Sequence, residues 1–165
     1  MEQQSKQLSI LKNAVTKAIE QLYEKDFYLL AHDVNERTLS HKLACYLQQE
    51  IEEWDNTWHV DCEYNRDYDN PKVLMQLSLA STTVMPTDTQ ATTVYPDIIV
   101  HKRGSRENLL AIEIKKASNR RGRNHDYEKL GAFKRELGYQ HTLFLELSPD
   151  REPLMDWDHE SEQHD

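Results

Sequence analysis

Apolar positions recur at helical spacing in two stretches near the start of the chain. Leu8, Leu11, Val15, Ala18, Ile19 and Leu22 form one stripe, and the spacing predicts a helix over residues 5–25. Leu39, Leu43, Leu47, Ile51 and Trp54 form a second stripe, over residues 34–54. The period then changes from helical to alternating. In "WHVDCEYNRD", Val60, Cys62 and Tyr64 alternate with Asp61, Glu63 and Asn65, which predicts a half-buried strand. Two apolar runs, "IIV" and "LLAI", flank a turn holding Gly104 and predict a hairpin with strands at 96–102 and 109–116. The polar stretch "SNRRGRN" leads into a helix over 125–137, and "HTLFLELS", 141–148, is the last strand. Residues 67–95 form an insert of mixed signals. Its "PKVLMQLSLA" fits either a short helix with Pro71 at its first position or an edge strand with Met75, Leu77 and Leu79 inward, and "STTVMPTDTQATT" reads as a loop. The order α-α-β-(insert)-β-β-α-β predicts an α/β (α+β) fold, a mixed central sheet flanked by helices.

Length and charge narrow this picture. The 165 residues suit one domain, with 38% hydrophobic and 30% charged residues. No apolar run is long enough to span a bilayer, and "MEQQSKQLSI" has no signal-peptide core. The expectation is a cytoplasmic protein without a membrane partner. Cys45 and Cys62 form no metal-ligand pattern. The net charge of −9 argues against a general nucleic-acid coat protein, but residues 96–140 carry 11 Lys and Arg against 6 Asp and Glu. The end of the chain, about 149–165, has seven acids and one arginine and reads as a flexible acidic tail.

Three charged residues interrupt the hairpin where its strands should be closing: Asp97, Glu113 and Lys115. If the turn "RGSRE" centres on Ser105, Val100 faces Leu110 and Asp97 faces Glu113. Directly opposite residues share a face, and Lys115, two positions beyond Glu113, joins them there. Ile98, Val100, Leu110, Ile112 and Ile114 then fill the other, dry face. A slip of one residue would separate the two acids. Two crowded carboxylates need compensation, either from a hard divalent cation or from the nearby ammonium as a simple ion pair.

Pro96-Asp97, fifteen residues, then Glu113-Ile114-Lys115 resembles the signature of the PD-(D/E)xK nuclease superfamily, which includes restriction-endonuclease-like enzymes. The segments "NERTLSHKLACYL", "VDCEYNRD", "PDIIVHKRG" and "DYEKLGAF" are similar to those of small prokaryotic or phage members. The resemblance implies a restriction-endonuclease-like core, α-β-β-β-α-β, over about 34–148, with an extra N-terminal helix outside it. It implies a nuclease that hydrolyses phosphodiester bonds with Mg²⁺, for which Mn²⁺ substitutes. Asp97 and Glu113 would hold the metal, together with the carbonyl of Ile114 and the helix acid Glu36. Lys115 would position the attacking water. The substrate would be nucleic acid, DNA ahead of RNA, and a double-strand break would call for a homodimer. The alternative is a catalytically silent nuclease-fold protein that binds a nucleic-acid or protein partner.

Other residues keep two readings. Glu36 continues the stripe of Leu39, Leu43 and Leu47, yet Asp33-Val-Asn-Glu36 also has capping-box-like spacing with Asp33 at the N-cap. Arg120, Arg121 and Arg123 either grip backbone phosphates or are solvated loop charges. Asp126 and Lys129, one helical turn apart, read first as a surface pair, with Lys129 facing the site as the alternative. Lys116 should point away from Lys115 into solvent, His101 should be structural or exposed, and Trp58 and Tyr64 should belong to the core.

Overall fold

A computed structural model of the chain describes residues 1–64, 66–67, 70–71 and 95–159. The readings offered for residues 72–94 lie outside them. The order is α1 (Glu2–Lys25), α2 (Phe27–Ala31), α3 (Glu36–Trp54), β1 (His59–Cys62), β2 (Arg66–Asp67), β3 (Asn70–Pro71), β4 (Ile98–His101), β5 (Asn108–Lys116), α4 (Arg123–Leu137), β6 (His141–Leu147) and β7 (Leu154–Trp157). Five strands form one sheet in the order β1-β4-β5-β6-β7, while β2 and β3 form a small separate ladder. The sheet is mixed. β5 and β6 are parallel, joined by the α4 crossover, and the other neighbours are antiparallel. Among the described residues no helix is long and apolar enough to cross a membrane.

Alternation along the strands divides the interior into two layers. Ile98, Val100, Leu110, Ile112, Ile114, Leu143 and Leu145 pack with Leu11, Val15, Leu22, Leu39, Leu43 and Leu47 of α1 and α3. On the other face Ile99, Ala111 and Phe144 pack with Leu130, Phe133 and Leu137 of α4. Trp58 belongs to the first layer, as expected. Tyr64 packs with the second, not with Val60 and Cys62, because Glu63 has φ 46° and turns the chain over.

Cap chemistry places the helix that carries Glu36. Asn35, not Asp33, is the N-cap of α3, and its side-chain oxygen accepts from the Thr38 amide at 2.9 Å. Asp33 instead sits at φ 51° and takes Lys116 Nζ at 2.9 Å. Lys116 therefore points away from Lys115 and, partly buried itself, reaches the exposed Asp33 carboxylate.

The tail reading needs correcting over residues 154–157. They form β7, antiparallel to β6 with Leu143 opposite Trp157. Trp157 packs on the α1 side, and Asp156 on the other side accepts from the Tyr127 hydroxyl at 2.9 Å. Asp158 closes the strand by accepting from the Thr142 amide at 3.0 Å, from His141 and from Lys134. Two of the acids that suggested a solvated end, Asp156 and Asp158, are hydrogen-bond acceptors at an edge strand.

Candidate functional site

The hairpin pairs in the register expected from its turn. Val100 faces Leu110 and Ile98 faces Ile112. Gly104, at φ 69°, allows the tight turn, and the irregularity between Val100 and His101 lies on the turn side, away from the charged end. Asp97 therefore precedes β4 at the level of Glu113. Its Oδ2 accepts from the Ile114 amide at 2.7 Å, in place of a next strand residue.

In an antiparallel ladder the N–H and C=O of one residue point to the same edge. The Ile114 carbonyl thus opens on the same edge as its amide, beside Asp97. One step further along that edge, Glu36 Oε1 accepts from the Lys116 amide at 3.3 Å and from Asn119 Nδ2 at 3.1 Å. Asp97, Ile114 and Glu36 thus line the strip of β5 that β4 leaves unpaired.

Glu113 and Lys115 alternate with Ile112 and Ile114, so they project onto the α4 face. Both are buried, at 2% and 5% exposure. Glu113 Oε2 takes Lys129 Nζ at 2.6 Å, while its other oxygen, Oε1, is buried without a hydrogen-bond partner. Lys115 Nζ lies 2.7 Å from Asp126 Oδ2 and donates to the Arg121 carbonyl at 2.6 Å. Gly122, at φ 76°, makes that contact available, since it folds the turn back over the ammonium.

The electrostatics follow from this crowding. Burial pushes the Glu113 carboxyl well above its ordinary pKa, and the Asp97 charge adds to the effect against the opposing pull of Lys129. Burial also raises Asp97, offset in part by the Ile114 amide and Lys129, and reinforced by the charges of Glu36 and Asp126. Burial works against the Lys129 ammonium, but the Glu113 carboxylate overrides it and raises its pKa.

Two expectations change here. Asp126 and Lys129 are not a surface pair: Asp126 is buried, and the two side chains turn to Lys115 and Glu113 of β5, with 3.5 Å between Lys129 Nζ and Asp126 Oδ1. Arg123 does not stand free with Arg120 and Arg121. It binds Glu146, which also takes Arg151. Arg120 and Arg121 are exposed, and among the described residues neither side chain has an ion-pair partner. His101 is structural, buried at 2.7 Å from Asp61, which also binds Arg103.

Asp126, Glu146 and Asn119 were missed by sequence reasoning. The first two had a signal. Asp126 extends the stripe of Leu130, Phe133 and Leu137 backward by one helical step, and Glu146 is a lone charge within an apolar strand.

Among the described residues no three His, Cys, Asp or Glu side chains are grouped to hold a metal ion. Mg²⁺ is commonly held by one or two carboxylates, with waters and substrate phosphate completing its octahedron. Asp97 and Glu113 are two carboxylates near enough for the charge of one to act on the other, and the unpartnered Glu113 Oε1 is an oxygen of the right chemistry. Comparison with family models, curated proteins and solved structures gives no match for this chain.

Proposed function

We propose that the chain is a Mg²⁺-dependent nuclease, with Mn²⁺ able to substitute, built on a restriction-endonuclease-like core of the PD-(D/E)xK superfamily. The observation that carries this reading is the meeting of three groups at the end of β5. Asp97 lies on the Ile114 amide, Glu113 keeps an unpartnered oxygen, and Lys115 projects from the same face as Glu113. The order α3, β1, β4, β5, α4, β6 supports it, being α-β-β-β-α-β.

A divalent cation, when bound, would neutralise phosphate charge and acidify a water. Asp97 and Glu113 offer it anionic oxygens, and Ile114 a neutral carbonyl. Glu36, tied to the Lys116 amide and Asn119, shapes the outer end of the strip. Lys115 supplies fixed positive charge where the attacked phosphate gains negative charge, and it orients the incoming water. Attack by that water in line breaks one phosphorus–oxygen bond and leaves a phosphate monoester and a hydroxyl. Arg120 and Arg121 hold backbone phosphates. The substrate is nucleic acid, DNA ahead of RNA, and a double-strand break would use two copies of the chain.

The test is incubation with mixed single- and double-stranded DNA and RNA under Mg²⁺ or Mn²⁺, beside a chelator control. Cation-dependent cleavage is expected. A second reading, binding without chemistry, is favoured by one observation: Lys115 already has two partners, Asp126 and the Arg121 carbonyl. Tight binding of nucleic acid with no cleavage under either cation would select it.

A further inference from the structure

We propose that α4 supplies two positioning residues to this site: Lys129, which fixes Glu113 so that Oε1 is the oxygen offered to the cation, and Asp126, which holds the Lys115 ammonium in place. The inference rests on the cation reading above and extends it to residues that do not touch the cation or the phosphate.

A carboxylate is planar, so fixing one oxygen restricts the other. Lys129 Nζ lies 2.6 Å from Glu113 Oε2 and 3.5 Å from Asp126 Oδ1, so the ammonium is held from two sides. It is a fixed post rather than a mobile counter-ion. Asp126 in turn reaches Lys115 Nζ at 2.7 Å with its other oxygen. The four groups form one chain in which acidic and basic side chains alternate, Glu113–Lys129–Asp126–Lys115, across the contact of α4 with β5. Lys129 and Asp126 are one helical turn apart, and Glu113 and Lys115 are two strand positions apart, so the two spacings match across the layers. Glu113 Oε1 is left outside the chain, buried and without a hydrogen-bond partner, while Asp126 Oδ2 meets Lys115 Nζ as an ion pair without hydrogen-bond geometry.

Two effects oppose each other when Lys129 is removed. Loss of its charge lessens repulsion of an incoming cation, and loss of its hydrogen bond frees Glu113 to rotate. The second should dominate, because an unheld Glu113 must be ordered by the ion itself, which is what an outer partner of a metal ligand spares it. Removing an outer partner of a metal ligand typically costs about 10- to 100-fold in affinity.

The experiment is Mn²⁺ binding without nucleic acid, followed by calorimetry or by the electron paramagnetic resonance of free Mn²⁺. Lys129→Met should weaken binding by about tenfold or more. Lys129→Arg should restore most of it, since its fork can still reach Glu113 and Asp126. Binding by Lys129→Met as tight as, or tighter than, wild type would overturn the positioning role while leaving the cation site standing. Mn²⁺ binding by wild type that ignores Asp97→Ala and Glu113→Gln would overturn the cation site and this inference together. If Lys129→Met fails to fold, a wild-type crystal with Mn²⁺ decides. An ion on Glu113 Oε1 with Lys129 still on Oε2 is expected, and an ion there with Lys129 displaced contradicts it. For Asp126, Asp126→Asn should lower turnover at saturating substrate while leaving Mn²⁺ affinity near wild type. Unchanged turnover would remove Asp126 from the site.

Discussion

Glu113 and Asp97 are buried acids whose pKa values lie above those of the unfolded chain. Burial disfavours their charged forms, against the pull of Lys129, so the stability they contribute is full below pH 4.5 for Glu113 and 3.8 for Asp97, their ordinary values, and is lost as pH rises through the raised ones. A divalent cation reverses this by favouring the charged forms. Added Mg²⁺ should therefore raise the melting temperature more at pH 8 than at pH 5, on the order of a few degrees for each kcal/mol gained. Equal shifts at both pH values, or none, would place the cation elsewhere. At this scale the sequence was informative where geometry is local. The turn centre at Ser105 brings Asp97 level with Glu113, and strand alternation adds Lys115. Asp126 extends the stripe of Leu130, Phe133 and Leu137, but its pairing with Lys129 hid that signal. An acid and a lysine one turn apart read equally well on a helix's wet face, and only the polar patch that β5 presents to α4 turns them inward. Glu36 gave a mixed outcome: the stripe extending to it was visible, but Asn35 rather than Asp33 caps its helix.

The elements show the same contrast. α1, α3, α4 and the hairpin were legible because their apolar periods are long and regular. β7 was not. It is an edge strand with Leu154 and Met155 still exposed, so its burial pattern is weak, and its acids suggested a solvated end. Asp158 is what anchors it. Its interactions with His141, Lys134 and the Thr142 amide outweigh burial and bring its pKa down from 3.8 to about 2. With the folded value below the unfolded one, its contribution is present above pH 3.8 and lost as pH falls toward 2. Asp158→Ala should cost about 1–2 kcal/mol at pH 7, allowing for its partial exposure. Denaturant melts of the two proteins should converge at low pH; a gap that persists there would mean that the loss is packing, not charge. A second element-scale prediction concerns the turn before α4. Gly122→Ala places a Cβ at φ 76°, 3.6 Å from Lys115 Nζ, so the space is adequate and the penalty is conformational. Thermal or denaturant melts should show a loss of about 1–2 kcal/mol.

Taken as a whole molecule, the sheet divides labour between its faces. α1 and α3 seal one face with the larger apolar layer, and α4 covers the other with a smaller layer that gives way to charged side chains at the ends of β5 and β6. The basic segment seen in the sequence is largely neutralised in the fold. Lys115, Lys116, Lys129, Arg123 and Lys134 each hold an acid. Sequence charge alone overstates what faces a polyanion, because it cannot show these pairings. Arg120 and Arg121 remain exposed beside the site. Arg120→Ala with Arg121→Ala should weaken nucleic-acid binding and reduce the slope of log affinity against log salt by roughly 2. An unchanged slope would mean that the substrate approaches from another side. The most direct test is single-turnover cleavage under Mg²⁺ by wild type and Lys115→Ala, on a substrate that both are shown to bind. Wild type should cleave, and Lys115→Ala should bind with nearly the same affinity yet lose cleavage by several orders of magnitude, on the order of what removing one preorganised charge from a transition state costs. Equal cleavage by the two proteins would contradict the assignment of the chemistry to the end of β5.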